Sequence, residues 1–358
     1  MKRIIFLFCC LLIIGCKSVD VTNSNEIKIN FLDEFVLPPD LTFEGDLVGG
    51  LSGIDYHNGK YFLVCDDASN PRYYEANIDI NKRKILSIDV QKVIRIKDTE
   101  HYLDLESIRF DAKTNQILLT SEGHINRKKN PRFFTVNSNG KVGNSFKIPS
   151  EFYASSKQKP RHNGTLEGLS NSIDGKGYWI AMELPLEADG PEPKITETNS
   201  PVRITYIDAS SKKSEKQFAY NLDLITKPPK ESFAVNGLTE ILEYKEDKFL
   251  VIERSYSSGL GNQSNTIKIF KIEASKASNT LAVNSLLNSN YEPATKELLF
   301  DFESVRNQLT DKTIDNIEGI SFGPILSNGN KSLLLIADNN FNKLGKQLNQ
   351  FILMEIID

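Results

Sequence analysis

His162-Asn163-Gly164-Thr165-Leu166-Glu167-Gly168-Leu169, followed by Gly177-Tyr178-Trp179-Ile180-Ala181-Met182-Glu183, is the stretch from which the fold can be read. An apolar run carrying one acid, a glycine turn and a second apolar run closed by an acid predict a β-hairpin. The same pattern opens at Leu51, Leu105, Leu166, Leu238 and Ile317. Two further strand-like runs follow in the first four units. In the second unit, for example, these are Asn130 to Phe134 and a run ending at Ile148.

Units of four short strands repeated along one chain predict an all-β fold, a β-propeller of four-stranded blades. Five blades are counted, and a sixth stays open because 273–316 is long and 305–311 fits no strand pattern. The fifth unit ends one strand short. The run Ile27 to Val36 is expected to supply it, closing the ring and removing a free sheet edge.

Antiparallel pairing then fixes a face. If the first strand of a unit starts at one face of the disc, the second ends there and the third begins there. The ring expected at that mouth contains Ser52 with Asp66 and Asp67, Glu106 with Glu122, Glu167 with Glu183, Thr239 with Glu253, and Glu318 with Asp338. Arg72, Arg132, Arg203 and Arg254 are expected among them as grips for an anionic substrate. His101, His124 and His162 fall in loops on this face, and His57 on the other. Carboxylates crowded together repel unless arginines or a cation neutralise them. Ligands that are all oxygen favour Ca²⁺, with Mg²⁺ as the alternative, over zinc. Glu106, Glu122, Glu253, Glu318 and Asp338 are the expected metal ligands, and Glu167, Glu183 and His162 the catalytic candidates. A competing reading makes each Glu–Arg pair a structural bridge between blades. Trp179, Tyr73-Tyr74 and Phe133-Phe134 read as core, and the basic runs Arg127 to Lys129 and Lys157 to Arg161 as solvated loops.

The chain has 358 residues, 39% hydrophobic and 25% charged, enough for a sizeable core. A net charge of −4 argues against a nucleic-acid partner. Lys2 and Arg3 precede an unbroken apolar run from Ile4 to Ile14, shorter than the about 20 residues a bilayer span needs. Residues 1–16 therefore read as a signal peptide ending Ile13-Ile14-Gly15-Cys16, which resembles a bacterial lipobox with Cys16 as the lipidated residue. Residues 17–26 read as a polar tether and 27–358 as one domain. The expected location is the bacterial cell envelope, at the outer membrane, with the lipid on Cys16 as the contact to the bilayer. Cys65 is then the one cysteine left in the domain, and a buried core thiol is expected there.

Three sets of residues carry a family resemblance. They are Leu166-Glu167-Gly168-Leu169 with Glu183 and Pro201-Val202-Arg203-Ile204, Asn236-Gly237-Leu238-Thr239-Glu240 with Phe249 to Arg254, and Asn316-Ile317-Glu318-Gly319-Ile320 with Ala337-Asp338-Asn339. Together they resemble the phytase-like domain, "esterase-like activity of phytase", of exported bacterial proteins, over roughly Leu47 to Leu353. The resemblance implies a propeller and hydrolysis of an ester or phosphoester at the cell envelope. Its matching positions are Glu167, Glu183, Arg203, Glu253, Arg254, Glu318 and Asp338. Ser52 and Thr239 depart from it, standing where other units carry Glu. The alternative function is a non-catalytic propeller that binds an anionic small molecule or a partner protein.

Overall fold

The computed structural model describes residues 27–343 and 345–357. The leader, the tether and Cys16 lie outside the described residues. Five antiparallel sheets of four strands follow one another around a ring. Blade 1 holds Leu51–His57, Lys60–Cys65, Arg72–Asn81 and Lys84–Arg95; blade 2 holds Leu105–Asp111, Gln116–Ser121, Arg132–Val136 and Val142–Ser145. Blade 3 holds Leu166–Asn171, Gly177–Met182, Pro201–Asp208 and Ser214–Asn221; blade 4 holds Ala234–Lys245, Lys248–Ser257, Asn265–Glu273 and Thr295–Asp301. Blade 5 takes Asn316–Ile325, Lys331–Asp338 and Asn349–Ile357 from the end of the chain and its outer strand, Lys28–Leu37, from the beginning. That closure runs from Lys28 opposite Ile357 to Leu37 opposite Asn349, so the two ends of the fold are hydrogen-bonded together.

No sixth blade forms among the described residues. The long segment after Glu273 covers the outer edge of blade 3: Thr280 N donates to Gln217 O and Ala294 N to Ala219 O. It then supplies the outer strand of blade 4, and the stretch beyond Asp301 folds into short 3₁₀ turns. Covering an edge strand in this way satisfies backbone groups that would otherwise recruit another chain.

The core lies between blades. Trp179 packs on Tyr206, Phe218 and Phe249 at the junction of blades 3 and 4. Tyr73, Tyr74, Phe133 and Phe134 are all buried: neighbours in a strand point to opposite faces of the blade, and each face packs into a different core cluster. Cys65 is a buried free thiol whose Sγ donates to Gly49 O at 3.2 Å. Burying large side chains of this kind stabilises a fold by roughly 1.5–3 kcal/mol each.

The inner strands share one irregularity. Each is bulged near the end that opens on the face with the acids, between Leu51 and Gly53, Leu105 and Ile108, Leu166 and Gly168, Leu238 and Glu240, and Ile317 and Gly319. A bulge adds an unpaired residue and re-aims side chains. The residues it frees include Ser52, Glu106, Glu167, Thr239 and Glu318, at equivalent positions around the ring.

Deeper along the inner strands the channel is plugged. Arg109 donates from Nη1 to Ile54 O at 2.9 Å and Ile108 O at 2.8 Å, and from Nη2 to Ile320 O at 3.0 Å and Ile241 O at 3.2 Å. Its Nη2 also meets Glu240 Oε2 at 3.0 Å. Glu240 in turn accepts Leu169 N at 2.6 Å and Ser107 Oγ at 2.6 Å. One ion pair thus touches all five inner strands. Even so, burial lifts Glu240 to about 7, with Arg109 pulling in the opposite direction.

Candidate functional site

Above the plug, the bulged residues and the ends of the second strands form an acidic cup. Register decides its membership. Cys65, Ser121, Met182, Glu253 and Ala337 lie opposite the residue that precedes the bulge of the neighbouring inner strand. The next residue in each blade faces the cup: Asp66, Glu122, Glu183, Arg254 and Asp338. Blade 4 therefore contributes a guanidinium where the other blades contribute carboxylates.

Carboxylate oxygens of Glu106, Glu122 and Glu167 lie within 4.8 Å of one another, as do those of Asp66, Asp104 and Glu106. Glu106 belongs to both groups. Glu106 and Glu167 are only 8% and 6% exposed, yet neither carboxylate takes a hydrogen bond or an ion pair from any described residue. The remaining acids are held. Arg254 Nη2 lies 3.0 Å from Glu183 Oε1 and 3.6 Å from Glu318 Oε1. Asn316 Nδ2 donates to Glu318 Oε1 at 2.9 Å, and Asn340 N to Asp338 Oδ1 at 2.7 Å. Gly237, opposite Arg254, must lack a side chain because a Cβ there would come 2.6 Å from Glu183 Oε1.

Burial is the leading cause of the upward shift of each acid in this cup. It lifts Glu122 and Glu318 to about 8, Glu183 to about 7 and Asp338 to about 6. Glu106 and Glu167 rise well above the ordinary range through burial and then through their neighbouring acids. Asp66 rises in the same way, and its carboxyl shares a hydrogen bond with Asp104. Arg254 opposes the rise at Glu167, Glu183, Glu318 and Asp338, but does not offset it. A buried, mutually repelling set of acids favours either protons or a cation.

The structure brings together Glu106, Glu122, Glu167, Glu183, Arg254, Glu318 and Asp338. It separates the other sequence candidates from them. Glu253, expected as a metal ligand, points between blades instead, where it pairs with Lys296 and accepts Tyr220 Oη, Asn236 Nδ2 at 2.8 Å and Asp223 N at 3.0 Å. The reason is its register position, equivalent to Met182 and not to Glu183. Arg72, expected to grip substrate, is enclosed by Asp67 at 2.9 Å, the Asn70 and Leu47 carbonyls and Tyr74 Oη. Arg203, with the same expected role, is fully buried on Asp189 at 2.7 Å, with Gln217 and the Val283 carbonyl beside it. Arg132 pairs with Asp98 at 2.9 Å and Ser145 Oγ at 3.1 Å. All three are engaged in structural contacts, but chiefly with an Asp of a nearby loop and not with the Glu of another blade that the competing reading paired them with.

Ser52 Oγ donates to Leu105 O at 3.1 Å and Thr239 Oγ1 to Ile317 O at 3.4 Å, so both tie their blade to the next one. His162 stacks on His124 with ring centroids 4.2 Å apart, and the Nδ1 of each is buried without a partner. Both rings act electrostatically on Asp104, which puts them at the rim. His101 is held by Asp98 at 2.8 Å. Sequence reasoning missed Asp104, Arg109 and Glu240. Asp104 carried one usable signal, an acid immediately before the opening of a repeat.

The profile of the phytase-like family, "Esterase-like activity of phytase", matches residues 46–341. The chain belongs to the phytase-like family. No curated protein matches the sequence. Among solved structures, the fold is similar to the GH43 β-1,3-galactosidase BT3683, at 10% identity, TM-score 0.44, and coverage of 87% of this chain and 91% of that one. It is also similar to a member of the DUF4221 family from Bacteroides vulgatus, at 12% identity, TM-score 0.36, and coverage of 93% and 98%. A luciferin-regenerating enzyme matches at 11% identity, TM-score 0.38, and coverage of 87% and 93%. These structural likenesses concern chain path alone.

The cup suits a hard cation. Its donors are carboxylate oxygens, and two of them, on the buried Glu106 and Glu167, have no hydrogen-bond or ion-pair partner among the described residues. Cys65 is engaged elsewhere, and neither histidine joins a group of donors close enough to share an ion. Oxygen-only donors are the signature of Ca²⁺ or Mg²⁺ sites.

Proposed function

We propose that the cup hydrolyses phosphoesters with the help of a hard divalent cation, Ca²⁺ by first choice and Mg²⁺ as the alternative. The observation that carries this reading is the pair of buried, unpartnered carboxylates, Glu106 and Glu167, each in a group of acids within 4.8 Å. Glu106, Glu122 and Glu167, with Asp66 and Asp104 beside them, would hold the ion. When bound, it would polarise an ester oxygen or lower the pKa of a water.

The chain's own residues supply the rest. Arg254 presents a guanidinium at the one ring position where the other blades place acids, so it can draw the substrate anion into an otherwise repelling cup. Its Nη2 is taken by Glu183 and Glu318, while its Nη1 makes no hydrogen bond to a described residue and can donate to that anion. Glu183, lifted to about 7 by burial and lying against Arg254, can hold or release a proton near neutral pH, as a general acid or base must. His162 is held below its ordinary value by burial and by His124, so it is neutral at that pH and can accept a proton at the rim. Enclosure by five blades limits water, which strengthens each of these interactions. The reading keeps the protein at the cell envelope, tethered through a lipid on Cys16, on the strength of its leader sequence.

The test is hydrolysis of a panel of phosphomonoesters, phosphodiesters and carboxylic esters by the domain, with EDTA and with added Ca²⁺. Glu167→Gln is expected to lose at least about a hundredfold in kcat/KM, in the range that a lost electrostatic element costs. Activity unchanged by this substitution, or absent across the panel, overturns the reading.

A further inference from the structure

A second concavity opens beside the cup on the same face. It has a volume of about 400 Å³ and is lined by Tyr102, Lys128, Lys129, Arg132, Phe133 and Tyr153, among others. That is within the range of small-molecule sites. Phe133 forms part of its apolar floor and is buried, while the two lysines stand exposed at its edge.

One loop serves both concavities. His124 N donates to Lys129 O at 3.0 Å and Lys129 N to His124 O at 3.0 Å, closing the loop at its base. The closure requires Gly123, with φ of +70°, because a Cβ there would lie 2.5 Å from Asn130 O and 2.7 Å from Lys129 O. The loop therefore sends His124 to the rim of the cup and Lys128 and Lys129 to the neighbouring pocket. Asn130 Oδ1 accepts Ala154 N at 3.0 Å and fixes the wall that carries Tyr153.

Tyr102 stands between the two. Its ring meets His124 edge-on with centroids 5.5 Å apart, and it lines the pocket. Asp104 and Asp66 act on its hydroxyl, so it is also within electrostatic reach of the cup. The charges in the pocket do not cancel. Arg132 and His101 share Asp98, and Glu100 is exposed. Lys128 and Lys129 have no ion pair among the described residues.

We propose that this pocket is the specificity subsite for the part of the substrate beyond the scissile bond, and that it takes a flat ring bearing its own anionic group. This substrate class, an aryl or heteroaryl phosphoester with a second anionic substituent, rests on the phosphoester reading of the cup. The aromatic walls Tyr102 and Tyr153 offer faces to any flat ring, and Lys128 and Lys129 receive its charge. Arg132, kept from the cup by Asp98, borders this second site instead.

The experiment uses pyrene trisulfonate, a fluorescent flat polyanion, and follows its anisotropy with the domain in EDTA. Saturable binding is expected. Lys128→Glu with Lys129→Glu should weaken it by about tenfold or more, since two attractions become repulsions, and Tyr153→Ala should weaken it several-fold. Glu167→Gln should leave it unchanged. Inorganic triphosphate, which has the charge without the ring, should compete poorly. No saturable binding, equal binding by the doubly reversed variant, or equally strong binding of triphosphate overturns the proposal. The lysines are exposed, so the variant should melt with the parent chain, which checks its folding. Binding with no hydrolysis removes the phosphoester reading but leaves the pocket. Hydrolysis with no binding removes the pocket alone.

Discussion

Raising the pH from 5 to 8.5 in EDTA should destabilise this protein, opposite to what ionising well-paired carboxylates does. Glu122 and Glu318 rise from an ordinary 4.5 to about 8 because folding buries them in the cup. In the unfolded chain they lose their protons near the ordinary value. Below that value both states are protonated and the folded state keeps its full stability. Between about pH 4.5 and 8 the unfolded chain has released protons that the folded one still holds, so stability falls as pH rises. At about 1.4 kcal/mol per pH unit, the change at Glu122 alone corresponds to on the order of 5 kcal/mol. Glu318 feels much of the same field, so the two effects do not add. Unfolding entropy of about 2.1 cal/mol/K per residue turns 5 kcal/mol into a Tm lower by roughly 7 °C for a chain of this length. His162 acts weakly in the opposite direction, since its lowered value makes acid unfavourable to the fold. Glu303, held down to about 2 by Arg306 and Lys227, loses its contribution only as pH falls below about 4.5, outside this window. The assay is calorimetric melting at half-unit pH steps, with Glu122→Gln/Glu318→Gln beside the parent chain. Added Ca²⁺ at about a hundred times its Kd should return about 2.7 kcal/mol, and should do so more readily at pH 8 than at pH 6. A Tm that stays level or rises from pH 5 to 8.5, or an equal slope in the double variant, refutes the reasoning.

Two further outcomes follow from the plug and from the register. Arg109→Leu leaves Glu240 buried and unpaired and should cost about 3–5 kcal/mol in urea unfolding, while Arg109→Met with Glu240→Met should recover much of that; equal losses in the single and double variants would contradict the central role of the pair. Glu253→Gln should lower stability by about 1–3 kcal/mol through its lost charge on Lys296 while leaving kcat/KM unchanged, whereas Glu183→Gln should reduce kcat/KM. Steady-state kinetics on the two variants separates them, and equal loss would place Glu253 in the cup.

The repeat determined a propeller of four-stranded blades, and the structure settled the count at five by laying the segment after Glu273 along the edge of blade 3. A glycine-turned hairpin recurring at Leu51, Leu105, Leu166, Leu238 and Ile317, with the unpaired run after Ile27, leads to a ring of such blades closed by the two ends of the chain. Strand direction also determined which face gathers Glu106, Glu122, Glu167, Glu183, Glu318 and Asp338, because antiparallel pairing returns every second strand to the face where the first began. The sequence could not decide where a side chain at the strand ends points. Side chains alternate, so a displacement of one residue exchanges the cup for the space between blades. Aligning blade 4 on its acid put Glu253 beside Glu183, whereas the ladder puts Arg254 there and turns Glu253 toward Lys296. The bulges that free Glu106 and Glu167 are likewise properties of a pairing between strands. Partners distant in the chain settled the rest: Asp189 takes Arg203, Asp98 takes Arg132, and Arg109 finds Glu240 across the channel. Those choices depend on loops that meet only when the ring is closed, and the periodicity of a strand carries no record of them.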